Sequence, residues 1–133
     1  MKKILITGVA GFIGSHLADK LVAAGHHVIG VDDLFSGSED NIKHLFNNAN
    51  FEFIKHDIVE PLFLNKSIDQ IYNLACPASP VHYQHNAVHT IKANTIGVIN
   101  MLGLARKHGV RILQTSTSEV YGKLMELDDK TTG

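Results

Sequence analysis

The sequence predicts an α/β fold in which a parallel sheet of about five strands carries helices on both faces. Two observations lead to this prediction. Short apolar runs alternate along the chain with stretches of helical periodicity, which is the pattern of parallel strands joined by helical crossovers. A glycine-rich turn, Gly8-Val-Ala-Gly11-Phe-Ile-Gly14, joins the first apolar run to the first helical stretch. Together they predict a doubly wound, Rossmann-type sheet.

The first three elements follow from apolar patterning and glycine positions. Lys3–Thr7 is short and apolar and ends at Gly8, as expected for a strand buried on both faces. The stretch from Gly11 to Ala24 has helical spacing and is followed by Gly25, a common helix stop. His27–Asp32 predicts a second strand. The apolar residues that define the helix are Phe12, Ile13, Leu17, Leu21 and Val22.

The remaining elements continue the alternation. A loop at Ser36-Gly37-Ser38 leads to a short helix at Glu39–Phe46, and strands are predicted at Phe51–Lys55, Asp69–Leu74 and Arg111–Thr115. Between the last two strands lies a long helix with an apolar stripe that we expect to face the core, although helices of this kind also form dimer interfaces. Glycines inside this helix indicate close packing. The stripe comprises Val88, Ile91, Thr95, Val98, Leu102 and Ala105, and the internal glycines are Gly97 and Gly103.

The size and composition of the chain fit one globular domain. It has 133 residues, 44% hydrophobic and 19% charged, which is enough apolar content for a core. A net charge of −1 without blocks of like charge argues against a nucleic-acid partner. The single cysteine gives no sign of an oxidising compartment, and no apolar run approaches the roughly 18–20 residues of a membrane span. We therefore expect a cytoplasmic protein with no membrane partner.

The N-terminus superficially resembles a signal peptide, because Met1-Lys2-Lys3 precedes the apolar run Ile4-Leu5-Ile6. The glycines that follow interrupt this run, and no small-x-small cleavage site closes it. The first residues are therefore interpreted as a strand rather than as a targeting segment.

The glycine turn has the chemistry of a phosphate-binding loop. A dinucleotide pyrophosphate needs backbone N–H donors at a helix N-terminus and no side chain in the way. In this interpretation Gly8 permits the tight turn, Gly11 the close approach of the phosphate, and Gly14 the packing of helix on strand. The strand before the turn and the helix after it make the pattern more specific than glycines alone.

An acidic residue follows at the spacing that a dinucleotide site requires. Asp32 ends the second strand eighteen residues after Gly14, where a carboxylate accepts the ribose hydroxyls of adenosine and repels a 2′-phosphate. Asp33 adds a second negative charge, and no Arg or Lys is nearby in the loop. The pair therefore favours NAD over NADP. The alternative is that the acid pair only forms the loop and that the glycine turn binds no ligand.

Further segments resemble the extended short-chain dehydrogenase/reductase family and, within it, the UDP-glucuronate decarboxylases. The Gly-x-x-Gly-x-x-Gly spacing is that of the extended family. The most discriminating segments are Ala-Cys-Pro-Ala-Ser-Pro, which begins at Ala75, and the run from Asn94 to Ala105. The resemblance extends over about residues 2–122. The segments that carry it are His56–Leu62, Asn73–Pro80, Asn94–Ala105 and Thr115–Gly122.

The resemblance implies a set of site residues. It places the cofactor along the carboxyl ends of the strands and the sugar nucleotide beside it. For the cofactor, the implied pyrophosphate contacts are Gly11, Phe12 and Ile13, the implied ribose contacts are Asp32, Asp33, Phe35 and Gly37, and the implied adenine contacts are Asp57 and Ile58. The implied contacts on the nicotinamide side are Leu74, Ala75 and Cys76, and Lys92 is expected near the cofactor or sugar. For the substrate, Tyr83 is expected near the glucuronate and Asn100 near the uridine diphosphate, and the implied catalytic residues are Thr117 and Glu119.

The resemblance also implies a reaction. In the family, NAD oxidises C4 of UDP-glucuronate, and the resulting β-keto acid loses CO2 because the ketone accepts the electron pair as an enolate. The reduced cofactor then returns its hydride to give UDP-xylose. Thr117 corresponds to the Ser/Thr that hydrogen-bonds the sugar 4-hydroxyl, and Glu119 to the acid beside the sugar ring. No metal takes part.

One part of the family's machinery has no counterpart in this sequence. The family uses Tyr-x-x-x-Lys for proton transfer, whereas Tyr72, Tyr83 and Tyr121 are followed four residues later by Cys76, Ala87 and Met125. We therefore expect residues 1–122 to form an incomplete NAD-binding domain, with 123–133 a divergent tail and the C-terminal sugar-nucleotide domain absent. This truncated chain alone should lack decarboxylase activity, and its fifth strand should be an exposed edge.

Alternative interpretations remain open from the residues alone. The chain could belong to a related 4-epimerase or 4,6-dehydratase, or be a non-catalytic NAD-binding module. The polar run from Thr115 to Ser118 could be a simple strand end, and Cys76 could be a nucleophile, although no base accompanies it. His82, His85 and His89 share a face of a helix beginning at His82 and could bind a metal, but a solvated helix start explains them more simply. The helix around Val88–Ala105 is also a candidate homodimer contact.

Overall fold

The computed structural model describes residues 1–76, 86–117 and 122. Strands and helices alternate as predicted, and the α/β fold class is confirmed. The elements in chain order are β1 at Lys3–Thr7, α1 at Phe12–Ala23, β2 at His27–Asp32, β3 at Phe51–Lys55, β4 at Gln70–Asn73, α2 at Ala87–Lys92, a π-helical turn at Ala93–Gly97, α3 at Val98–His108 and β5 at Arg111–Gln114.

The five strands form one parallel sheet in the order β3-β2-β1-β4-β5. Strand β1 lies at the centre, where Ile4 is in register with Val28 on one side and with Gln70 on the other. From β1 the chain adds β2 and β3 on one side and then β4 and β5 on the other, so the strand order reverses between β1 and β4. In open parallel sheets such a reversal opens a crevice at the carboxyl ends of the strands, which is where ligands bind.

Each face of the sheet has its own apolar core. Helix α1 and the segment after β2 cover one face, where Ile4, Ile6 and Val28 are buried. Helix α3 covers the other face and packs Met101 and Leu104 against Leu5. Because β1 is covered on both faces, its apolar run needs no polar alternation, in agreement with the prediction for a two-sided strand.

Two helical predictions differ from the structure. Instead of one short helix at Glu39–Phe46, the chain forms two 3₁₀ turns, Glu39–Asn41 and Lys43–Leu45. The predicted long helix is interrupted by the π-helical turn at Ala93–Gly97. At Gly97 a Cβ would lie 2.7 Å from the Ile58 side chain, so glycine allows the helix to approach this residue closely. The expected close packing holds for Gly97 but is wrong for Gly103, where a Cβ would meet nothing within 4 Å.

The prediction that the long helical stripe faces the core is also wrong for most of its members. Val88 and Ile91 are 64% and 63% exposed, and Leu102 is 49% exposed. The buried face is instead formed by five residues, of which only Ala105 belongs to the predicted stripe. That buried face consists of Ala93, Gly97, Met101, Leu104 and Ala105.

Strand β5 lies at the edge of the described sheet, as predicted. Leu113 is 51% exposed there. Within the described residues, no helix is both long enough and apolar enough to cross a membrane.

Candidate functional site

An open cleft lies at the carboxyl ends of β1, β2, β3 and β4. Its empty volume, counted together with the solvent at its open mouth, is about 580 Å³. The segments that follow the four strands form its walls, and the π-helical turn closes one side. The cleft is lined by Gly8, Gly11, Val31, Asp32, Asp33, Phe35, Ser36, Gly37, His56, Asp57, Ile58, Leu74, Ala75, Cys76, His89 and Ala93.

The glycine loop forms a tight cradle between β1 and α1. Gly8 has a φ of 69°, and a Cβ there would lie 2.8 Å from the Leu74 backbone. A Cβ at Gly14 would overlap the Gly8 carbonyl oxygen, so helix and strand approach each other too closely for any side chain. Gly11 precedes the first turn of α1, whose N–H groups have no acceptor within the helix. The loop therefore presents backbone donors and no side chain, as an anionic phosphate group requires.

Asp32 is held at the mouth of this cradle by backbone donors. One carboxylate oxygen accepts from Ala10 N at 2.9 Å and the other from Leu34 N at 2.8 Å. Burial raises the pKa of Asp32 above its ordinary value of 3.8, although these N–H groups oppose the rise. A carboxylate has about four acceptor positions, so capacity remains for a hydroxyl group of a ligand.

The loop after β2 positions three further residues along the cleft. Leu34 has a φ of 62°, a left-handed conformation that costs a non-glycine residue about 1–2 kcal/mol. Its side chain packs against the core below α1, which helps to hold this turn. Asp33 accepts from Phe35 N at 3.0 Å, and a Cβ at Gly37 would lie 2.8 Å from the Ala10 backbone. The loop thus folds directly over the glycine cradle.

The end of β3 supplies Asp57 and Ile58 to the cleft. Asp57 accepts from Val59 N at 3.0 Å and from His89 Nε2 at 2.7 Å. Burial alone would raise the pKa of Asp57, but these two hydrogen bonds together with the nearby imidazoles of His89 and His56 hold the pKa below 3.8. The buried Ile58 packs against Gly97 and connects this loop to the helix that follows β4.

The ends of β1, β4 and β5 are joined by a polar network. Thr7 Oγ1 donates to Asn73 Oδ1 at 2.5 Å, and Asn73 Nδ2 donates to Gln114 Oε1 at 2.6 Å. Thr7 and Asn73 are both buried. Thr7 Oγ1 also accepts from the N–H groups of Leu74 and Ala75 at 3.1 Å, so the network fixes the backbone that lines the cleft beside Cys76.

Most of the predicted cofactor residues lie together in the cleft, but several predicted residues do not line it. Phe12 and Ile13 project into solvent from the first turn of α1, and Lys92 and Thr117 are exposed. Asn100 lies in a separate groove beside Pro61, where its amide donates to the carbonyl oxygens of Ile58 and Val59. Gly14 is buried behind the cradle. Tyr83, Glu119, His82 and His85 lie outside the described residues.

The structure also adds residues that the sequence-based site lacks. Val31, Ser36 and His56 line the cleft and could have been included, because each is adjacent in sequence to a predicted site residue. His89 and Ala93 come from the helical segment after β4. Sequence spacing indicates His89 only as a possible metal ligand with His82 and His85, and it gives no signal that His89 or Ala93 lines the cleft, because their distance from the cleft depends on how that segment packs.

The sequence closely matches curated UDP-glucuronic acid decarboxylases. It is 57% identical over 130 residues to UDP-glucuronic acid decarboxylase 1 of Arabidopsis thaliana, covering 98% of this chain and 29% of that protein. It is 60% identical over 120 residues to decarboxylase 4 of the same plant, covering 90% of this chain and 27% of that protein. The chain therefore spans less than a third of the length of these two relatives.

Solved structures share the fold of this chain. Pal from Bacillus thuringiensis has a TM-score of 0.85 and 32% identity, covering 93% of this chain and 42% of that one. DesIV, a dTDP-glucose 4,6-dehydratase from Streptomyces venezuelae solved with NAD and TYD bound, has a TM-score of 0.80 and 27% identity, covering 93% and 42%. The family model described as GDP-mannose 4,6 dehydratase matches residues 5–132. This match shows that the chain belongs to the GDP-mannose 4,6 dehydratase family.

Proposed function

We propose that this chain is the NAD-binding, N-terminal part of a UDP-glucuronate decarboxylase. The observation that carries the proposal is the cleft, in which a side-chain-free glycine cradle and a buried carboxylate, Asp32, meet at the reversal point of a parallel sheet. Identities of 57% and 60% to curated decarboxylases support the choice of enzyme within the family. The proposed domain comprises residues 1–122.

The residues present fit a dinucleotide. The cradle of Gly8, Gly11 and Gly14 would hold the pyrophosphate, with the backbone of Phe12 and Ile13 at the helix N-terminus. Asp32 would accept the adenosine ribose hydroxyls, and the segment from Leu74 to Cys76 would face the nicotinamide half. When bound, NAD would accept and return the hydride at C4 of the sugar. The remaining members of the proposed adenosine half are Asp33, Phe35, Gly37, Asp57 and Ile58.

In the proposed reaction UDP-glucuronate becomes UDP-xylose and CO2. Thr117 would hydrogen-bond the sugar 4-hydroxyl, with Glu119 beside the ring and Lys92 near the cofactor or sugar. Tyr83 and Asn100 would contact the substrate. Because the printed sequence contains no Tyr-x-x-x-Lys to move the hydroxyl proton, we propose that these 133 residues bind NAD without turning over substrate.

Dinucleotide titration tests the binding proposal. The chain lacks tryptophan, so the fluorescence of NADH and NADPH can be followed without interference from indole. NADH should bind more tightly than NADPH, and Asp32→Asn should weaken NADH binding about 10- to 100-fold, because hydrogen bonds to a charged acceptor are lost. Asp40→Asn, at an exposed position away from the cleft, should change nothing. Equal affinity of the wild type for both dinucleotides would contradict the assignment of Asp32.

Product analysis separates the decarboxylase from its relatives. The alternatives are a 4-epimerase or a 4,6-dehydratase, and a binding module without activity. A longer polypeptide that contains these residues together with a Tyr-x-x-x-Lys motif should release CO2 from UDP-glucuronate. Release of CO2 by the 133-residue chain itself would overturn the proposal that it is inactive.

We further propose a homodimer contact through α2 and α3. Val88, Ile91, Ile99 and Leu102 expose an apolar face along these helices. Exposed apolar patches of this kind mark interaction surfaces. Light scattering should detect a dimer, and Ile99→Glu together with Leu102→Glu should convert it to a monomer. A wild-type chain that stays monomeric at all accessible concentrations would exclude this contact.

A further inference from the structure

His89 joins three elements at the adenosine end of the cleft. Its backbone N–H donates to the Asn86 side chain at 3.0 Å, which caps the start of α2. Its Nε2 lies 2.7 Å from Asp57 Oδ2 and 4.0 Å from Asp33 Oδ2. Its ring centroid is 6.1 Å from that of Phe35. The imidazole of His89, on the helix that follows β4, therefore contacts the segments that follow β2 and β3.

Both carboxylates are oriented towards this imidazole by their own backbone. Asp33 Oδ1 accepts from Phe35 N and Asp57 Oδ1 accepts from Val59 N, so each presents its Oδ2 to His89. With Asp32, three carboxylates line one end of a cleft in which no described lining residue is Lys or Arg. A dinucleotide brings further negative charge on its pyrophosphate. A positively charged group between Asp33 and Asp57 would offset this accumulation of charge.

The distances favour a proton rather than a metal ion between these groups. Asp33, Asp57 and His89 each offer one ligand atom, and the three atoms lie within 4.8 Å of one another. Metal–ligand distances of about 2.0–2.2 Å place neighbouring ligands of one ion roughly 3 Å or more apart. The 2.7 Å between His89 Nε2 and Asp57 Oδ2 is instead the length of a charge-assisted hydrogen bond.

We propose that His89, as an imidazolium, is a positioning residue for the adenosine half of the dinucleotide. It holds the segments after β2 and β3 at their spacing across the cleft and neutralises the carboxylates that a nucleotide diphosphate must approach. The proposal rests on the proposed function, since it needs a dinucleotide in this cleft. It assigns the pH dependence of binding to His89, because imidazole changes charge between about pH 5 and 8.

The test uses ADP-ribose, which contains the adenosine half and whose pyrophosphate does not titrate in this range. Isothermal titration from pH 5.5 to 8.5 compares the wild-type chain with His89→Gln and His89→Lys. We expect His89→Gln to lose about tenfold in affinity at pH 6, the size of one charge-assisted hydrogen bond. Wild-type affinity should fall towards that of His89→Gln as the pH rises. His89→Lys should bind about as tightly as wild type at pH 6 and show no such fall.

Two control variants isolate the effect. His44 Nε2 forms a similar pair with Asp19 Oδ1 at 2.6 Å outside the cleft, so His44→Gln should leave binding unchanged. His56 is the other imidazole that lines the cleft, and the remaining charged groups on the facing elements are Asp32, Asp33 and Asp57, with Lys92 on the helix of His89 itself. The fall in affinity with pH should persist in His56→Gln and disappear in His89→Gln.

The outcomes separate this inference from the proposed function. Wild-type binding with no loss in His89→Gln would overturn only the role of His89, and an equal loss in His89→Lys would show that shape rather than charge matters. Loss of wild-type binding in EDTA would indicate a metal ion and overturn the proposal. Failure of the wild type to bind both ADP-ribose and NAD would overturn the proposed function and this inference together. If a variant fails to fold, the change of wild-type affinity for ADP-ribose with pH still tests the proposal.

Discussion

The two wings of the sheet differ in how completely the described residues cover them. On one side of β1, strand β2 lies between two neighbours, and all its residues except His27 are buried. On the other side, the four residues of β5 are exposed or half-buried, and β5 pairs only with β4 among the described strands. The helices repeat this contrast, because α3 leaves Ile99 and Leu102 exposed.

The contrast separates nucleotide binding from the rest of the proposed chemistry. The covered wing carries the glycine cradle and Asp32, whose positions depend on contacts within β1, α1 and β2. The uncovered wing leads to Thr117 and presents an edge strand and an apolar helix face, which are surfaces that another polypeptide segment would cover. The described residues therefore form most of the proposed dinucleotide site, whereas the proposed sugar-site residues among them, Lys92, Asn100 and Thr117, do not line the cleft.

Truncating one leucine at the covered centre of the sheet and one at its uncovered edge should give the largest difference. Leu5 is fully buried at the centre of the sheet and Leu113 is 51% exposed on β5. Leu5→Ala should lower the free energy of unfolding by about 2–5 kcal/mol, because it leaves a cavity that packed strands cannot close. Leu113→Ala should cost under about 1 kcal/mol. Urea denaturation measures both, and equal losses would contradict the assigned contrast.

A smaller difference is expected from two alanine substitutions at glycines. In Gly14→Ala the new Cβ overlaps the Gly8 carbonyl oxygen, so the cradle must shift, at a cost of about 1–3 kcal/mol and with weaker NADH binding. In Gly103→Ala the Cβ enters open space within α3, and we expect a gain of about 0.5–1 kcal/mol from helix propensity. Thermal unfolding tests whether Gly14→Ala destabilises the chain and Gly103→Ala stabilises it, and NADH titration tests the weaker binding of Gly14→Ala. Destabilisation by Gly103→Ala would show that this glycine has a packing role.

The covered wing was also the more predictable from sequence. Lys3–Thr7, His27–Asp32 and Phe51–Lys55 form strands at the predicted bounds, because each is a short apolar run between turn-forming residues. The location of Asp32 at the mouth of the glycine cradle follows from spacing along a single β-α-β unit, since strand, turn and helix leave little freedom. Local patterns are sufficient where neighbours in sequence are neighbours in space.

The helix after β4 shows where local patterns fail. Its predicted buried stripe included Val88, Ile91 and Leu102, which are exposed, because the rotation of the helix depends on how closely Ala93 and Gly97 approach the sheet and Ile58. The contact between His89 and Asp57 spans 32 residues and depends on that same rotation. Neither a π-helical turn nor a contact of this length has a signature in apolar periodicity.

The smallest expected effect concerns Asp57, which links the two wings through His89. Its pKa is lowered in the folded chain, so ionised Asp57 contributes stability above about pH 3.8 that is lost as the pH falls through the lower folded pKa. Asp57→Asn should therefore reduce the free energy of unfolding by about 0.5 kcal/mol at pH 6, a small value because the side chain is 36% exposed. The difference from wild type should shrink as the pH falls below 3.8 and vanish only below the lower folded pKa. Urea denaturation between pH 6 and pH 2.5, with Asp40→Asn as the exposed control, measures it. If Asp57→Asn were still less stable than wild type at the lowest pH, Asp57 would stabilise the fold by packing rather than by its charge. The ion pair of Asp57 with His89 would then contribute nothing to the link between the two wings.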